Sequence, residues 1–451
     1  MTTKPLSWLG IIKLGLVQCA LGAVTAVSIS TLNRVMVVEI AMPAVVPAAL
    51  VAWQYLIQMT RPHWGFGSDR GNRRTPWIIG GMGVVAMGAV IAPDAALMMK
   101  GSPLGGILLG LVAYSMIGAG VGAAGTSLLA LLATRVAPTR RPAAASITWV
   151  MMIFGIVVSS VVAGHFLQPF SPQRLAIVVS TVAGLAFLLT LLAVWGAEGD
   201  QPAVSAESAP SAKPAPGAFR AAISEIWADR VARRFTIFVF VSMLAYSAQE
   251  LILEPFAGLV FHMSPKASAQ LSGLQHGGVL LGMILVGVLG ARLGGKTRTW
   301  MRSWVVAGCV GSALALGGMG AACLVGPSWP LAPTVFVLGL GNGVFAVAAI
   351  GSMMALAGGG REAGGQAGVR MGVWGAAQAV AFAFGGFLGA LGVDVLRSAL
   401  HVPATAFLFV FGIEAMVFLI SAWIGGSLEA APQSKSRSSG AAVTVEFSGA
   451  V

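Results

Sequence analysis

Charged residues are scarce: Asp, Glu, Lys and Arg fill 9% of 451 positions, against 57% for hydrophobic residues. So little charge cannot cover a soluble chain of this length, which excludes an aqueous globular enzyme or binding module. Cysteine is nearly absent as well. Cys19, Cys309 and Cys323 all fall in apolar runs, and their odd number and spacing exclude a disulfide framework and a metal site. They read as small buried hydrophobes. There is no P-loop, no H-E-x-x-H, no Cys/His cluster and no acidic Mg-diphosphate motif. GVGAAG at 120–125 matches G-x-G-x-x-G, but it follows no strand and lies in an apolar run, so it is packing and not a phosphate cradle.

Apolar length is what the chain has in abundance. Runs of about 20 residues, enough to cross ~30 Å of hydrocarbon as a helix, recur from end to end. They predict twelve spans, near 9–31, 41–60, 76–98, 104–134, 143–167, 174–196, 235–262, 268–291, 303–326, 330–357, 367–393 and 403–425. The first is too long for a removable signal peptide and lacks a small-residue cleavage site. The expected fold class is an all-α membrane protein.

The net charge of +12 is an orientation signal and not a nucleic-acid footprint. With the N-terminus in the cytoplasm, only Arg34, Lys100, Arg174, Lys266 and Arg397 fall outside, which leaves 22 of the 27 Lys/Arg inside. Both termini are therefore expected in the cytoplasm. Residues 198–218, rich in Pro, Ala and Ser, read as a disordered linker between six-span halves at 1–197 and 219–426. RAAISEIWADRVARRF, just after it, reads as a basic amphipathic segment along the membrane surface. The tail, 427–451, reads as disordered.

The halves look like a repeat. GFGSDRGNRRTP (65–76) and GARLGGKTRTW (290–300) are short, glycine-rich basic loops at corresponding places. The first resembles the signature loop of the major facilitator superfamily through Gly65, Asp69, Arg70, Arg73 and Arg74, with Asn72 where a second glycine is usual. The second keeps Gly290, Lys296 and Arg298 and has Gly294 in place of the aspartate. The resemblance implies two pseudosymmetric six-helix halves. It also implies a gating loop in which Asp69 docks against a neighbouring helix end while the arginines bind carboxylates or lipid phosphate. Plain orientation charge is the alternative for those arginines.

A second resemblance covers nearly the whole chain. STLNRVMVVEIAMPA (30–44), RRTPWIIGGM (73–82) and SAQELILEPFAGLVFHMSPKASAQLSGLQHGGVLLGM (247–283) are similar to the PucC/LhaA family, the facilitator branch of phototrophic bacteria, and above all to its sub-branch named as a bacteriochlorophyll synthase chain. The resemblance implies delivery of bacteriochlorophyll or a precursor to pigment–protein complexes in the bacterial inner, intracytoplasmic membrane. The implied partners are that pigment, membrane lipid, and light-harvesting subunits or pigment-synthesis enzymes, with no nucleic acid. Neither enzymatic chemistry nor an intrinsic cofactor is expected, a bound bacteriochlorophyll aside.

A chlorin magnesium takes one axial ligand, usually an imidazole. Of five histidines only His276, beside Gly277, Gly278 and Gly282, sits well inside a span. It is the candidate ligand; a core histidine among packing glycines is the plainer alternative. Glu250 and Glu254 lie one helical turn apart in an apolar run, where carboxylates need partners or a water-lined cavity. Pro255 is expected to break the helix beside Glu254. Pseudosymmetry sets Asn33, Arg34 and Glu39 of span one against Gln249, Glu250 and Glu254 of span seven, so an Arg34–Glu250 contact is expected. With His276 these six form the candidate pigment or substrate set. Glu414, in mid-span, suggests pairing or proton work without a nameable partner, and Glu250 is the other proton candidate. The rival functions are a proton-coupled transporter of a small solute and a scaffold for pigment-synthesis enzymes.

Overall fold

The computed structural model describes residues 5–28, 32, 35–36, 40, 42, 45–70, 73–167, 170–198, 218–263, 265–292, 297–357 and 366–427. In the amino-terminal half they form α1 (Trp8–Ala26), α2 (Val45–Ile57), α3 (Arg61–Arg70), α4 (Thr75–Met98), α5 (Pro103–Arg135), α6 (Arg141–Phe166) and α7 (Pro172–Val194). After the linker come α8 (Ala218–Ala228), α9 (Arg230–Phe261), α10 (Pro265–Arg292), α11 (Thr297–Val325), α12 (Leu331–Ala357), α13 (Ala367–Leu400) and α14 (Pro403–Gly426). Eleven helices among the described residues are long and apolar enough to cross a membrane. The second expected span is carried by α2, a 3-10 turn at Gln58–Thr60 and α3, which follow one another without a break. The tightened turn lies just before Pro62, whose ring removes a backbone donor and clashes with the preceding turn.

The two halves pack alike. α1 packs on α6 and α7, α4 on α5 and α7, and α2 on α5. In the other half α9 packs on α13 and α14, α11 on α12 and α14, and α10 on α12. Each pair has its counterpart in chain order, the arrangement of a facilitator fold. The outward faces are apolar: α7 exposes Ile177, Leu185, Leu188 and Leu192, as a lipid-facing surface requires.

Close helix approach rests on glycine. α10 and α12 run parallel, each with a pair of glycines four residues apart: Gly278 and Gly282, and Gly339 and Gly343. A Cβ on Gly278 or Gly282 would meet the α12 backbone at Phe336 or Leu340; one on Gly339 or Gly343 would meet that of α10 at Gln275 or Val279. This is small-residue packing of the kind membrane helices use in place of a hydrophobic driving force.

Several boundaries differ from the sequence expectations. Pro255 does not break α9, which continues to Phe261. Pro255 is itself exposed, but Phe256 beside it anchors that turn in a cluster with Phe407 and Phe411, and a membrane helix tolerates proline where packing holds the chain. The amphipathic segment after the linker is two elements. Asp229 accepts the backbone N–H groups of Val231 (2.9 Å) and Ala232 (3.3 Å), ending α8 and starting α9. α13 extends to Leu400 and α11 starts at Thr297, both beyond the apolar runs. Residues 65–70, expected as loop, are helical. His262 and His401 are left-handed caps closing α9 and α13, at φ 54° and 55°.

Candidate functional site

The halves meet at the end of the molecule that carries the 65–76 segment, here the basic end. Asp69 sits in the last turn of α3 and faces the first turn of α13. Its Oδ1 accepts the Gly368 N–H at 2.8 Å and its Oδ2 the Val369 N–H at 3.0 Å. Those donors have no partner within their own helix, and the helix dipole favours an anion there. Arg74 Nη2 bridges to Asp69 Oδ1 at 2.9 Å, and its Nη1 donates to Thr134 Oγ1 of α5 at 2.8 Å. Glu198 completes the turn, accepting the Arg74 N–H at 2.5 Å and the Thr75 N–H at 3.3 Å, while its carbonyl accepts from Arg135. Burial pushes the Asp69 carboxyl up from its ordinary value; Arg74 and the two backbone N–H groups pull it back.

The backbones come this close because Gly65 and Gly368 face each other, and a Cβ on either would strike the other's carbonyl. Arg70 and Arg73 are exposed, Arg70 lying over the Phe66 ring at 4.3 Å. Gly65, Asp69 and Arg74 are thus built into the contact between halves, and Arg70 and Arg73 are not. α8 adds a strap. Phe219 stacks on His63 of α3 at 3.9 Å, and Glu225 accepts from Gln366 at the head of α13 at 2.7 Å.

The pseudosymmetric contact joins α6 and α10. Ser146 Oγ donates to the Met283 carbonyl at 2.8 Å, and Gly287 and Gly290 pack on Ser146 and Pro142. Of the second loop, residues 293–296, and with them Gly294 and Lys296, lie outside the described residues, as does the Arg298 side chain.

His276 belongs to the same stripe of α10, since 276, 283, 287 and 290 fall on one face at helical spacing. The stripe is buried at Met283, Gly287 and Gly290 and exposed at His276. Further along α6 from Ser146, Phe154 and Val157 are 61% and 53% exposed. The His276 Nδ1 lies 2.8 Å from the Ser272 carbonyl, which can only accept. Nδ1 therefore carries a hydrogen, which leaves Nε2 as the nitrogen that the neutral ring can offer to a metal. Gly277 has open space where a side chain would stand, while Gly278 and Gly282 serve helix packing.

Three further rings mark where the halves meet at mid-depth. Phe382 of α13 lies 6.0 Å from Tyr55 of α2 and 5.8 Å from Tyr246 of α9. Sequence reasoning missed this row; its one signal is that the chain has only three tyrosines, two of which meet here. Asn33, Arg34 and Glu39 lie outside the described residues, as do the side chains of Glu250 and Glu254, so the expected Arg34–Glu250 contact lies outside them too. Gln249 and Glu414 are buried, at 1% and 5% exposure. Among the described residues no three His, Cys, Asp or Glu side chains are grouped to hold a metal ion.

Comparison with known proteins agrees with this architecture. A family profile described as "PUCC protein" matches residues 31–431. The chain is 49% identical to the "Bacteriochlorophyll synthase 44.5 kDa chain" of Rhodobacter capsulatus, covering 94% of this chain and 96% of that one. It is 28% identical to "Protein PucC" of Cereibacter sphaeroides, over 90% and 88% of the two chains. Among solved structures it resembles the E. coli fucose:proton symporter, with a TM-score of 0.63 at 17% identity over 92% and 98%. This chain belongs to the PUCC protein family and has the fold of the major facilitator superfamily.

Proposed function

We propose that the protein is a non-enzymatic handler of bacteriochlorophyll or a precursor, passing pigment to photosynthetic pigment–protein complexes. The observation that carries this reading is His276, an exposed imidazole held through Nδ1 by the Ser272 carbonyl, on the stripe of α10 that packs on α6 at Met283 and Gly287. A magnesium macrocycle needs one such ligand and a flat approach, and Gly277 leaves the space beside it. A hydrogen bond from the far ring nitrogen to a carbonyl is the usual support for a metal-bound histidine. The names of its relatives point to the same pigment system. The Tyr55–Phe382–Tyr246 row adds aromatic surface where the halves meet, and the Asp69 contact closes the basic end.

Protein purified in mild detergent from a phototrophic host is expected to show the absorption bands of a bound magnesium macrocycle. His276→Ala should lower pigment per protein at an unchanged membrane level. The loss should exceed the roughly 10–100-fold caused elsewhere by removing only a ligand's outer-shell partner. Equal pigment in the two proteins would return His276 to a packing role.

The basic end is taken to face the cytoplasm, on the strength of the 22 basic residues assigned there. Reporter fusions at 198–218 and in the 427–451 tail should both report cytoplasm; a periplasmic signal from either overturns the orientation.

A further inference from the structure

We infer that Glu414 and Gln249 form an acid–amide pair that binds a proton inside the carboxy-terminal half. On α14, Phe407, Phe411, Glu414, Phe418 and Gly425 follow one another at helical spacing and share one face. On α9, Phe238, Gln249 and Phe256 are 11 and 7 residues apart and also share a face. The two faces touch at both ends. Phe256 packs on Phe407 and Phe411 with ring centroids 5.3 and 4.9 Å apart, and a Cβ on Gly425 would lie 3.3 Å from the Phe238 ring. The helices are antiparallel, so the position opposite Gln249, between those anchors, is that of Glu414.

Both carboxyl oxygens of Glu414, and both Oε1 and Nε2 of Gln249, are buried without a hydrogen-bond partner among the described residues. No other polar group among the described residues hydrogen-bonds them. α11 brings Cys309, a buried thiol, and Ser312, which donates to Asn342 Oδ1 of α12 at 2.8 Å; the Asn342 Nδ2 is a further buried donor without a partner, three residues from the Phe345 that packs on Phe418. The Asp394 and Arg397 side chains of α13 are about half or more exposed and pair with each other near its far end. Glu250 is one residue, about 100°, further round α9 than Gln249.

An ionised carboxylate among phenyl rings, with no described cation beside it, is strongly disfavoured. A neutral acid fits an amide: the Glu414 O–H donates to Gln249 Oε1, and Gln249 Nε2–H donates to the Glu414 carbonyl oxygen. No hydrogen bond joins the two side chains as they stand, so side-chain rotation closes the pair, and the proton is what completes it. An ionised Glu414 would leave Gln249 Oε1 without a donor. The site therefore holds a proton while α9 and α14 are packed. It does not depend on the pigment reading.

Infrared difference spectroscopy on the full-length protein in lipid nanodiscs tests the pair. A protonated-carboxyl C=O band is expected at neutral pH, absent in Glu414→Gln and moved to higher frequency in Gln249→Leu, where its hydrogen bond is gone. A spectrum in which Glu414→Gln removes no such band overturns the inference, and so does an unmoved band in Gln249→Leu. The second variant keeps the test decisive where the first does not assemble.

Discussion

Asp69→Asn is expected to part the two halves at their basic end. The carboxylate accepts two backbone N–H groups at the head of α13 and pairs with Arg74, at 4% side-chain exposure. Asparagine offers one acceptor; its amide hydrogens would face either the Gly368 or the Val369 N–H, and Arg74 would lose its counter-charge. Hydrogen bonds to charged groups contribute about 1.5–3 kcal/mol each, and removing one partner of a buried ion pair costs about 3–5 kcal/mol. Even a loss of about 3 kcal/mol moves a closed-to-open ratio by roughly 100-fold, at tenfold per 1.4 kcal/mol. Arg74→Ala should be milder at this contact, because both backbone N–H groups keep their acceptor. Spin labels at the exposed positions Arg73 and Arg302, with Cys19, Cys309 and Cys323 replaced by alanine, report the separation. A wild-type distance distribution in Asp69→Asn would remove Asp69 from the contact between halves.

Asp69 was legible in the sequence because its loop resembles a facilitator signature loop, which implies an aspartate docked on a neighbouring helix end. Its partners were not legible, being main-chain N–H groups of Gly368 and Val369 that no side-chain pattern announces. Glu198 was hidden likewise: it caps the 73–75 turn from 124 residues away. Helix positions followed from apolar length, since a membrane asks only for an unbroken run. Helix ends depended on caps and packing, so Pro255 misled where Phe256 holds the turn, and Asp229 split a segment that composition made continuous. Periodicity places Gln249 and Glu414 each on a stripe. Only the packed helices show that the stripes face each other, so a reading by pseudosymmetry instead grouped Gln249 with its neighbours Glu250 and Glu254.

The glycines around His276 should part company under substitution. Gly339→Ala and Gly343→Ala each put a Cβ into the α10 backbone, at the carbonyls of Gln275 and Val279. Backbone cannot swing aside as a side chain can, so overpacking of about 1–3 kcal/mol is expected. It should exceed the gain of up to about 1 kcal/mol that alanine brings to a helix interior. Both variants should lower the thermal midpoint at a fixed scan rate, and Gly343→Leu should abolish assembly. Gly277→Ala, with open space around it, should leave the midpoint unchanged or raise it. Gly277→Leu is the sharper case, since its bulk goes where the macrocycle would lie against His276. Pigment per protein should then fall while the midpoint holds and His276 is still in place, which a folding defect would not produce. Unchanged pigment in Gly277→Leu would place the macrocycle away from this face of α10. A fall in midpoint equal to that of Gly343→Ala would show that Gly277 also packs.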